Sequence, residues 1–339
     1  YGDHRDLHSF PTRRSPICRF LASYCDPGII LVSILFVLFS SLPSFADGFT
    51  AKQLGDYGNV TVMEVSGNYD ARNPDGSVNA LPRQTIAREF FRLHKDEYDF
   101  VVVFTNYDFK MPEAEVQGFY VGIKNDIKGI GQERFNYNDP ALYGSPYGSA
   151  GRLQGTIDMG NLAGKVSNPL DPGFEDTLRV LAHEMQHRWG SFVHFKDSAG
   201  NISSALLGKD GAHWSYLLDS KGSVMYGDQW RDNGDGTFTA LTDRKYYSQL
   251  DLYLMGMIDK SKVPPMLLIE NPSIDPKKLP EPGATISGTA RYVTIDDIIA
   301  AEGERDPSVK DSQKQFKMAF IYEVTPGSFN RADLYGIEN

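Results

Sequence analysis

Leu178-Arg-Val-Leu-Ala-His-Glu-Met-Gln-His-Arg-Trp-Gly190 is the stretch on which the fold depends. Apolar residues recur within it at helical spacing, at Leu178, Ala182, Met185 and Trp189. This period predicts a helix with one stripe that faces a core. Asp171-Pro172 provides a helix start upstream, and Gly190 provides a stop.

The same stretch contains the pattern His183-Glu184-x-x-His187. Histidines four apart on a helix project from one face, and two neutral imidazoles can hold one Zn²⁺ at about 2.0–2.1 Å. Glu184 is then placed to take a proton from water and not to bind the ion. The alternative is a pair of helix-face histidines with structural roles. We expect the metal site.

Length and charge limit the classes of protein to consider. The chain has 339 residues, a formal net charge of −10 and two cysteines. This length suits one large domain or two modest ones with a full core. The acidic balance argues against nucleic acid as a partner, because binding to phosphates requires a basic surface.

Residues 1–46 have the organisation of a secretory signal. The apolar run 29–39 is too short to span a bilayer, arginines precede it, and Ser44-Phe45-Ala46 resembles a cleavage site. We expect cleavage after Ala46 and a secreted protein, extracellular or periplasmic, without a stable membrane partner; an uncleaved anchor is the alternative. Residues 9–15 resemble a translated sequencing adapter, so we treat the extreme N-terminus as an artefact of assembly.

Both cysteines, Cys18 and Cys25, lie in this segment. The mature chain therefore has no thiolate for nucleophilic catalysis or for a cysteine-type zinc site. A secreted chain without disulfides relies on its core and on bound ions for stability.

The residues between the signal and the histidine helix alternate between strand and helix patterns. We predict strands over 58–66, 100–105, 118–124 and 153–159, and a helix over 81–98. The run 100–105 is continuously apolar, as in a strand buried on both faces. The last strand, Leu153–Met159, contains Gly and Asp, which suits the edge of a sheet.

This order of elements before the histidine helix resembles the zincin clan of metallopeptidases. The resemblance implies an α+β fold in which a twisted mixed sheet packs on the HExxH helix. It also implies that an extended peptide substrate lies along Leu153–Met159, because a sheet edge offers backbone groups for strand addition. The alternative is an ordinary edge without a ligand.

The third metal ligand must follow Gly190. The metzincin branch has the pattern HExxHxxGxxH; Gly190 matches it, but His194 lies one residue late. His213, which follows a longer excursion, is the ligand we favour, with His194 and the carboxylates of Asp219 or Asp251 as alternatives. His94 lies far along the chain on the early helix, and we interpret it as a surface residue.

Gly222-Ser-Val-Met-Tyr-Gly227 resembles the metzincin Met-turn, in which a Met lies beneath the metal ligands. The resemblance gives Met225 that place, and Tyr226 or Tyr216 could donate a hydrogen bond to the oxyanion. The alternative for Met225 is a core residue without such a role.

Asp232-Asn-Gly-Asp-Gly236 is dense in turn-forming residues. Asn-Gly and Asp-Gly pairs predict a hairpin. Asp232 and Asp235 offer oxygen ligands for a structural Ca²⁺, but their spacing does not match an EF-hand loop. A plain hairpin is the favoured interpretation.

Three segments follow from these patterns: a signal at 1–46, a catalytic domain at 47–265, and a small C-terminal α/β unit at 284–339, whose end looks truncated. Within them we predict a helix over 248–257 with Ser248 as N-cap, a helix over 295–301 capped by Thr294, and a strand over 316–324. A stretch rich in Pro and Lys, 271–283, reads as a linker.

The sequence therefore predicts a secreted endopeptidase with one catalytic Zn²⁺ on His183, His187 and His213, acting on a protein or peptide. The ion lowers the pKa of its water toward about 7 and polarises the scissile carbonyl. Glu184 accepts the proton and passes it to the leaving amine. Two alternatives are an inactive surface or binding protein on a zincin scaffold, and a zinc hydrolase of non-peptide substrates such as cell-wall amides.

Overall fold

The structure is a computed structural model that describes residues 48–111, 116–134, 144–208, 210–241 and 246–335. The predicted signal segment, with its apolar run and both cysteines, lies outside these ranges. Within them, no helix has the length and apolar content that crossing a bilayer requires.

Four α-helices and fifteen strands follow one another along the described chain. The helices are α1 (Leu81–Leu93), α2 (Phe174–Gln186), α3 (Gln249–Leu254) and α4 (Ile295–Glu302). The strands are β1 (Thr50–Tyr57), β2 (Val60–Ser66), β3 (Phe100–Thr105), β4 (Phe119–Gly122), β5 (Gly155–Asn161), β6 (Phe195–Lys196), β7 (Ile202–Ser203), β8 (Trp214–Asp219), β9 (Tyr226–Asp228), β10 (Trp230–Asp232), β11 (Thr237–Ala240), β12 (Met266–Glu270), β13 (Thr285–Ser287), β14 (Thr289–Val293) and β15 (Met318–Val324). The predicted mixed α+β class is confirmed.

A six-stranded mixed sheet forms the centre, in the order β1-β2-β15-β3-β5-β4. The four inner strands run parallel to one another, and the two outer strands, β1 and β4, run antiparallel to their neighbours. Strand β3 is buried along its whole length, as its continuous apolar run predicted. The sequence interpretation missed β1, which forms a hairpin with β2 through Gly58 at a positive φ of 60°.

The prediction that Leu153–Met159 forms the edge of the sheet is wrong. Strand β5 lies between β3 and β4, and Tyr120 of β4 pairs with Ile157. A Cβ atom on Gly155 would lie 2.2 Å from the Tyr120 ring, so the glycine makes room for the ring of the covering strand. The edge on this side of the sheet is therefore β4.

The described residues of the predicted unit 284–339, which end at Tyr335, do not form a separate unit, contrary to the prediction. Strand β15 lies in the middle of the central sheet, where Phe320 pairs with Val60 on one side and Val102 on the other. Strand β14 pairs with β12 in a second sheet, β14-β12-β8-β9. The C-terminal strand has no independent core, because both of its neighbours come from the first half of the chain.

The two faces of the central sheet bury different helices. Helix α1 packs on one face with Ile86, Ala87 and Phe90 in a cluster that includes Val101 and Val103 of β3. Helix α2 packs on the other face, where alternate β3 residues belong to the larger cluster. This alternation is the period-two pattern of a strand covered on both sides.

The apolar stripe of α2 differs from the predicted one at its start. The helix begins at Phe174, after Gly173, and Leu178 is 46% exposed. Leu181, Ala182 and Met185 pack against the larger cluster, and Trp189 is buried just beyond the helix. Only the C-terminal half of α2, which carries the histidines, is anchored in the core.

Candidate metal centre

Three histidines converge beside the central sheet. His183 lies in the last turn of α2, His187 caps its C-terminus, and His213 immediately precedes β8. One ring nitrogen from each lies within 4.8 Å of the others. The structure thus brings together the three histidines that the sequence interpretation selected as ligands. Among the described residues, no other group of three His, Cys, Asp or Glu side chains is arranged for one ion.

Hydrogen bonds at Nδ1 orient two of these rings. His183 Nδ1 donates to the Val224 carbonyl at 2.6 Å, and His213 Nδ1 donates to Asp210 Oδ2 at 2.6 Å. The tautomer that donates at Nδ1 leaves a lone pair on Nε2 for a metal. The two Nε2 atoms are 3.0 Å apart. Two nitrogens bound to one tetrahedral Zn²⁺ lie about 3.4 Å apart, so the donor set fits this ion.

Two alternative third ligands, and also the early histidine His94, lie elsewhere. His194 Nδ1 contacts Glu302 Oε1 at 3.1 Å, against α4. The Asp219 carboxylate accepts from Lys221 Nζ at 2.5 Å. His94, expected at the surface, is partly buried and stacks on Phe90 at the end of α1. None of these side chains belongs to the histidine cluster.

Glu184 lies between the helix and the sheet edge. It is 5% exposed, and burial, followed by the charge of Asp158, raises its pKa to about 8. The backbone N–H of Tyr120 donates to its carboxylate and opposes this shift. A Cβ atom on Gly118 would lie 2.7 Å from Glu184 Cγ, so this glycine permits the close approach of the chain that enters β4.

The segment that resembles a Met-turn runs alongside the histidines. Met225 is fully buried, and its carbonyl accepts the backbone N–H of Trp214, the neighbour of His213. Tyr226 has a positive φ of 69°, and its ring centroid lies 5.4 Å from that of His183 and 4.8 Å from that of His213. Burial raises the Tyr226 pKa to about 12, so its hydroxyl keeps its proton at neutral pH. Tyr216 lies one ring further away, 5.8 Å from Tyr226.

Asp251, an alternative third ligand in the sequence interpretation, has a different place. It is fully buried and accepts from Trp214 Nε1 at 2.9 Å and from Ser223 Oγ at 2.6 Å. The N–H of Ser248, the N-cap of α3, also donates to it, at 2.8 Å. Because Trp214 follows His213 and Ser223 precedes Val224, one carboxylate joins both segments that orient the histidines. The spacing Ser248-x-x-Asp251 signals the cap, but no local pattern signals the other bonds.

The predicted hairpin at Asp232–Gly236 is confirmed as the turn between β10 and β11. Asp232 Oδ1 accepts the N–H of Gly234 at 2.8 Å, and Asp235 Oδ1 accepts the N–H of Thr237 at 3.0 Å. Both carboxylates thus stabilise the turn. These bonds belong to the favoured hairpin, and the structural Ca²⁺ given as the alternative stays a prediction.

Comparison with known proteins found no matching family model, no matching curated protein and no matching solved structure. What the chain displays is a mixed α+β fold with a three-histidine cluster, a buried glutamate beside it and a sheet edge alongside. The chemistry of the site therefore has to be inferred from these residues.

Proposed function

We propose that this chain is a zincin-like, zinc-dependent endopeptidase that acts outside the cell. The observation that carries the proposal is the convergence of His183, His187 and His213 next to the buried Glu184. Three neutral imidazoles leave a fourth position on a tetrahedral ion, as catalytic zinc sites do. The extracellular or periplasmic location rests on the signal-like pattern of residues 1–46.

The residues of the site have distinct roles in this proposal. A bound Zn²⁺ supplies Lewis acidity, which acidifies water and polarises a carbonyl group. The charge of a bound Zn²⁺ would favour the ionised form of Glu184 against the effect of burial. In that form Glu184 accepts a proton from the attacking water and delivers it to the nitrogen of the leaving amine. The Tyr226 hydroxyl donates a hydrogen bond to the oxygen of the former carbonyl, where negative charge develops.

The sheet edge is the proposed place for an extended substrate. Strand β4 ends the central sheet, and no strand of the described chain pairs with its outer side. Its Tyr120 N–H reaches Glu184, so this edge passes directly beside the proton acceptor. An added strand of substrate along β4 would therefore carry a peptide bond past the site. This assigns to β4 the place that the sequence interpretation gave to β5.

The test compares the chain from Asp47 with three variants, in zinc content and in cleavage of casein. We expect one zinc and proteolysis for the parent. Glu184→Gln should keep zinc and lose activity, because the ligands remain and the proton acceptor does not. His213→Ala should lose zinc. Tyr226→Phe should keep zinc and lower kcat by about 10²-fold or more.

Other outcomes point to the alternatives. A parent chain that binds no zinc overturns the proposal. Stoichiometric zinc without turnover of any protein substrate indicates a binding or surface protein on an inactive scaffold. Turnover of cell-wall amides but not of casein indicates a zinc hydrolase with a non-peptide substrate.

A further inference from the structure

Lys165 occupies the connection between β5 and α2, at the point where β4 begins. Its Nζ donates to the Gln117 carbonyl at 2.9 Å. The next residue, Gly118, lies so close to Glu184 that a Cβ atom there would be 3.0 Å from Glu184 Oε1. The ammonium group is therefore placed at the end of the sheet edge, a short distance from the proton acceptor.

Within the described ranges, the Lys165 ammonium group has no carboxylate in direct contact. Lys165 is half-buried, and burial lowers its pKa, while the charge of Glu184 acts in the opposite direction. Within the described ranges, no Asp or Glu forms an ion pair with it, and its hydrogen bond goes to a neutral carbonyl. A partly desolvated cation with a neutral partner is stabilised by an anion that comes within reach.

The positive charge of Lys165 contrasts with the net negative charge of the chain. The formal net charge is −10, so the surface in general does not attract anions. A local positive group beside the reacting bond would draw an acidic side chain to one position of a bound peptide. A neutral or basic side chain at the same position would gain nothing from it.

We propose that Lys165 is a specificity-determining residue, which selects substrates with Asp or Glu close to the scissile bond on the side of the site where β4 begins. This inference rests on the proposed peptidase function and names its substrate class. The competing explanation is that Lys165 only anchors the start of β4 through the Gln117 carbonyl. That role needs a hydrogen-bond donor but no charge.

The test uses zinc-loaded chain from Asp47 and fluorogenic peptides with both termini blocked. The peptides differ only at the three positions on each side of the cleaved bond, which carry Glu, Gln or Lys in turn. For the parent we expect kcat/KM to be about tenfold higher with Glu than with Gln at one position on one side, which corresponds to one partly desolvated ion pair. Peptides with a free C-terminus show whether a terminal carboxylate has the same effect.

Lys165→Gln removes the charge and keeps a donor for the Gln117 carbonyl. The Glu-to-Gln ratio should fall to about 1 in this variant, and Lys165→Glu should favour the Lys peptide. Lys52→Gln is the matched control, because it removes the same charge from β1 at the opposite edge of the sheet and should keep the parental ratio. Zinc content and thermal unfolding of each variant show that the site is intact.

Two results would overturn the inference while the peptidase function stands: a parent that cleaves acidic and neutral peptides equally, or a Lys165→Gln variant that keeps the preference. A zinc-loaded parent that cleaves none of the peptides and no protein refutes the proposed function, and the inference falls with it.

Discussion

The Asp210 side chain orients His213, one of the three proposed metal ligands. The Asp210 carboxylate accepts from His213 Nδ1 through Oδ2 and from the backbone N–H groups of Ala212 and His213 through Oδ1. The same side chain therefore folds the turn and selects the tautomer. Partners of this kind raise the basicity of a ligand and fix its orientation.

Replacing Asp210 should weaken the site without removing a ligand. We expect Asp210→Ala to lower zinc affinity about 10- to 100-fold, because the His213 ring loses its orientation and its preferred tautomer. Competition with a chromogenic chelator measures the effect. Asp297→Ala, which removes a comparable capping carboxylate on α4, is the control and should leave affinity unchanged. Equal affinity in all three proteins would show that Asp210 has only a local structural role.

At the residue scale, the sequence predicts those site residues that lie within a few positions of one another. The spacing of His183, Glu184 and His187 identified three side chains that lie together, because four residues make about one helical turn. The choice of His213 over His194 depended on the path of the chain between 191 and 212, which no short pattern encodes. Asp251 illustrates the limit of such local patterns. Its carboxylate made it an alternative metal ligand, whereas in the structure it is buried and accepts hydrogen bonds from the segments that orient the histidines.

At the scale of elements, helix α3 and the turn at Ser223–Gly227 are joined through the Asp251 carboxylate. The bonds to Trp214 Nε1 and Ser223 Oγ reach toward the histidines, whereas the reciprocal bond from Asp251 N to Ser248 Oγ stays within the cap of α3. The two groups of bonds can be separated by mutation. Loss of the bonds to Trp214 and Ser223 should lower zinc affinity, whereas loss of the bond within the cap should lower the stability of α3.

We expect Trp214→Phe and Ser223→Ala each to lower zinc affinity by about tenfold, because each frees one segment that orients a histidine. Ser248→Ala should instead lower the free energy of unfolding by about 1 kcal/mol, the usual effect of losing an N-cap, and leave zinc affinity unchanged. Chelator competition and urea unfolding separate the two effects. If Ser248→Ala weakens zinc as much as Ser223→Ala does, the carboxylate acts through general stability alone.

The elements predicted well are those with signals inside their own sequence. Ser248 and Thr294 were recognised as N-caps, and both form capping boxes. Helix α2, which contains His183, ends at Gln186, a few residues before the predicted stop at Gly190 and within the usual uncertainty of a helix boundary. The edge strand was assigned wrongly because strand order depends on pairing between distant segments, and a strand with Gly and Asp suits an edge only when nothing covers it.

At the scale of the whole molecule, two carboxylates lie buried on the α1 face of the central sheet. Asp158 is paired with Arg83, and Tyr69 donates to it at 2.5 Å. Glu323 accepts from the Tyr107 hydroxyl at 2.5 Å. Burial raises the Glu323 pKa to about 8, and the nearby charge of Asp158 adds to this shift. In the folded protein the protonated form of Glu323 therefore predominates below about pH 8.

This cluster predicts a pH dependence of stability. The folded pKa of Glu323 lies above its unfolded value of about 4.3, so the stability it contributes is complete below that value and is lost as pH rises through about 8. Urea unfolding of the zinc-free protein at pH 5 and pH 8 should show this loss. Glu323→Gln should reduce it by an amount on the order of a few kcal/mol. A parental decline that Glu323→Gln does not change would contradict the assignment.

The sequence predicted the fold class correctly but did not predict the order of the strands in the central sheet. Alternating patterns sufficed for a mixed α+β chain, since periodicity reports burial directly. The continuous apolar run Phe100–Thr105 was recognised as a doubly buried strand. The position of Met318–Val324 was not recognised, because its neighbours β2 and β3 lie more than two hundred residues earlier. Because residues 284–339 are distant in sequence from the first strands, the sequence predicts a separate C-terminal unit. The pairing of β15 with β2 and β3 instead places this strand in the central sheet.

The insertion of β15 between β2 and β3 also sets the order of events during synthesis. The centre of the sheet stays open until β15 has left the ribosome, because β15 is made long after its neighbours β2 and β3. Such long-range closure slows folding. A chain that ends before β15 carries all three histidines of the cluster yet lacks the middle of the sheet beside them. The proposed proteolytic site would therefore become active only after β15 has been made.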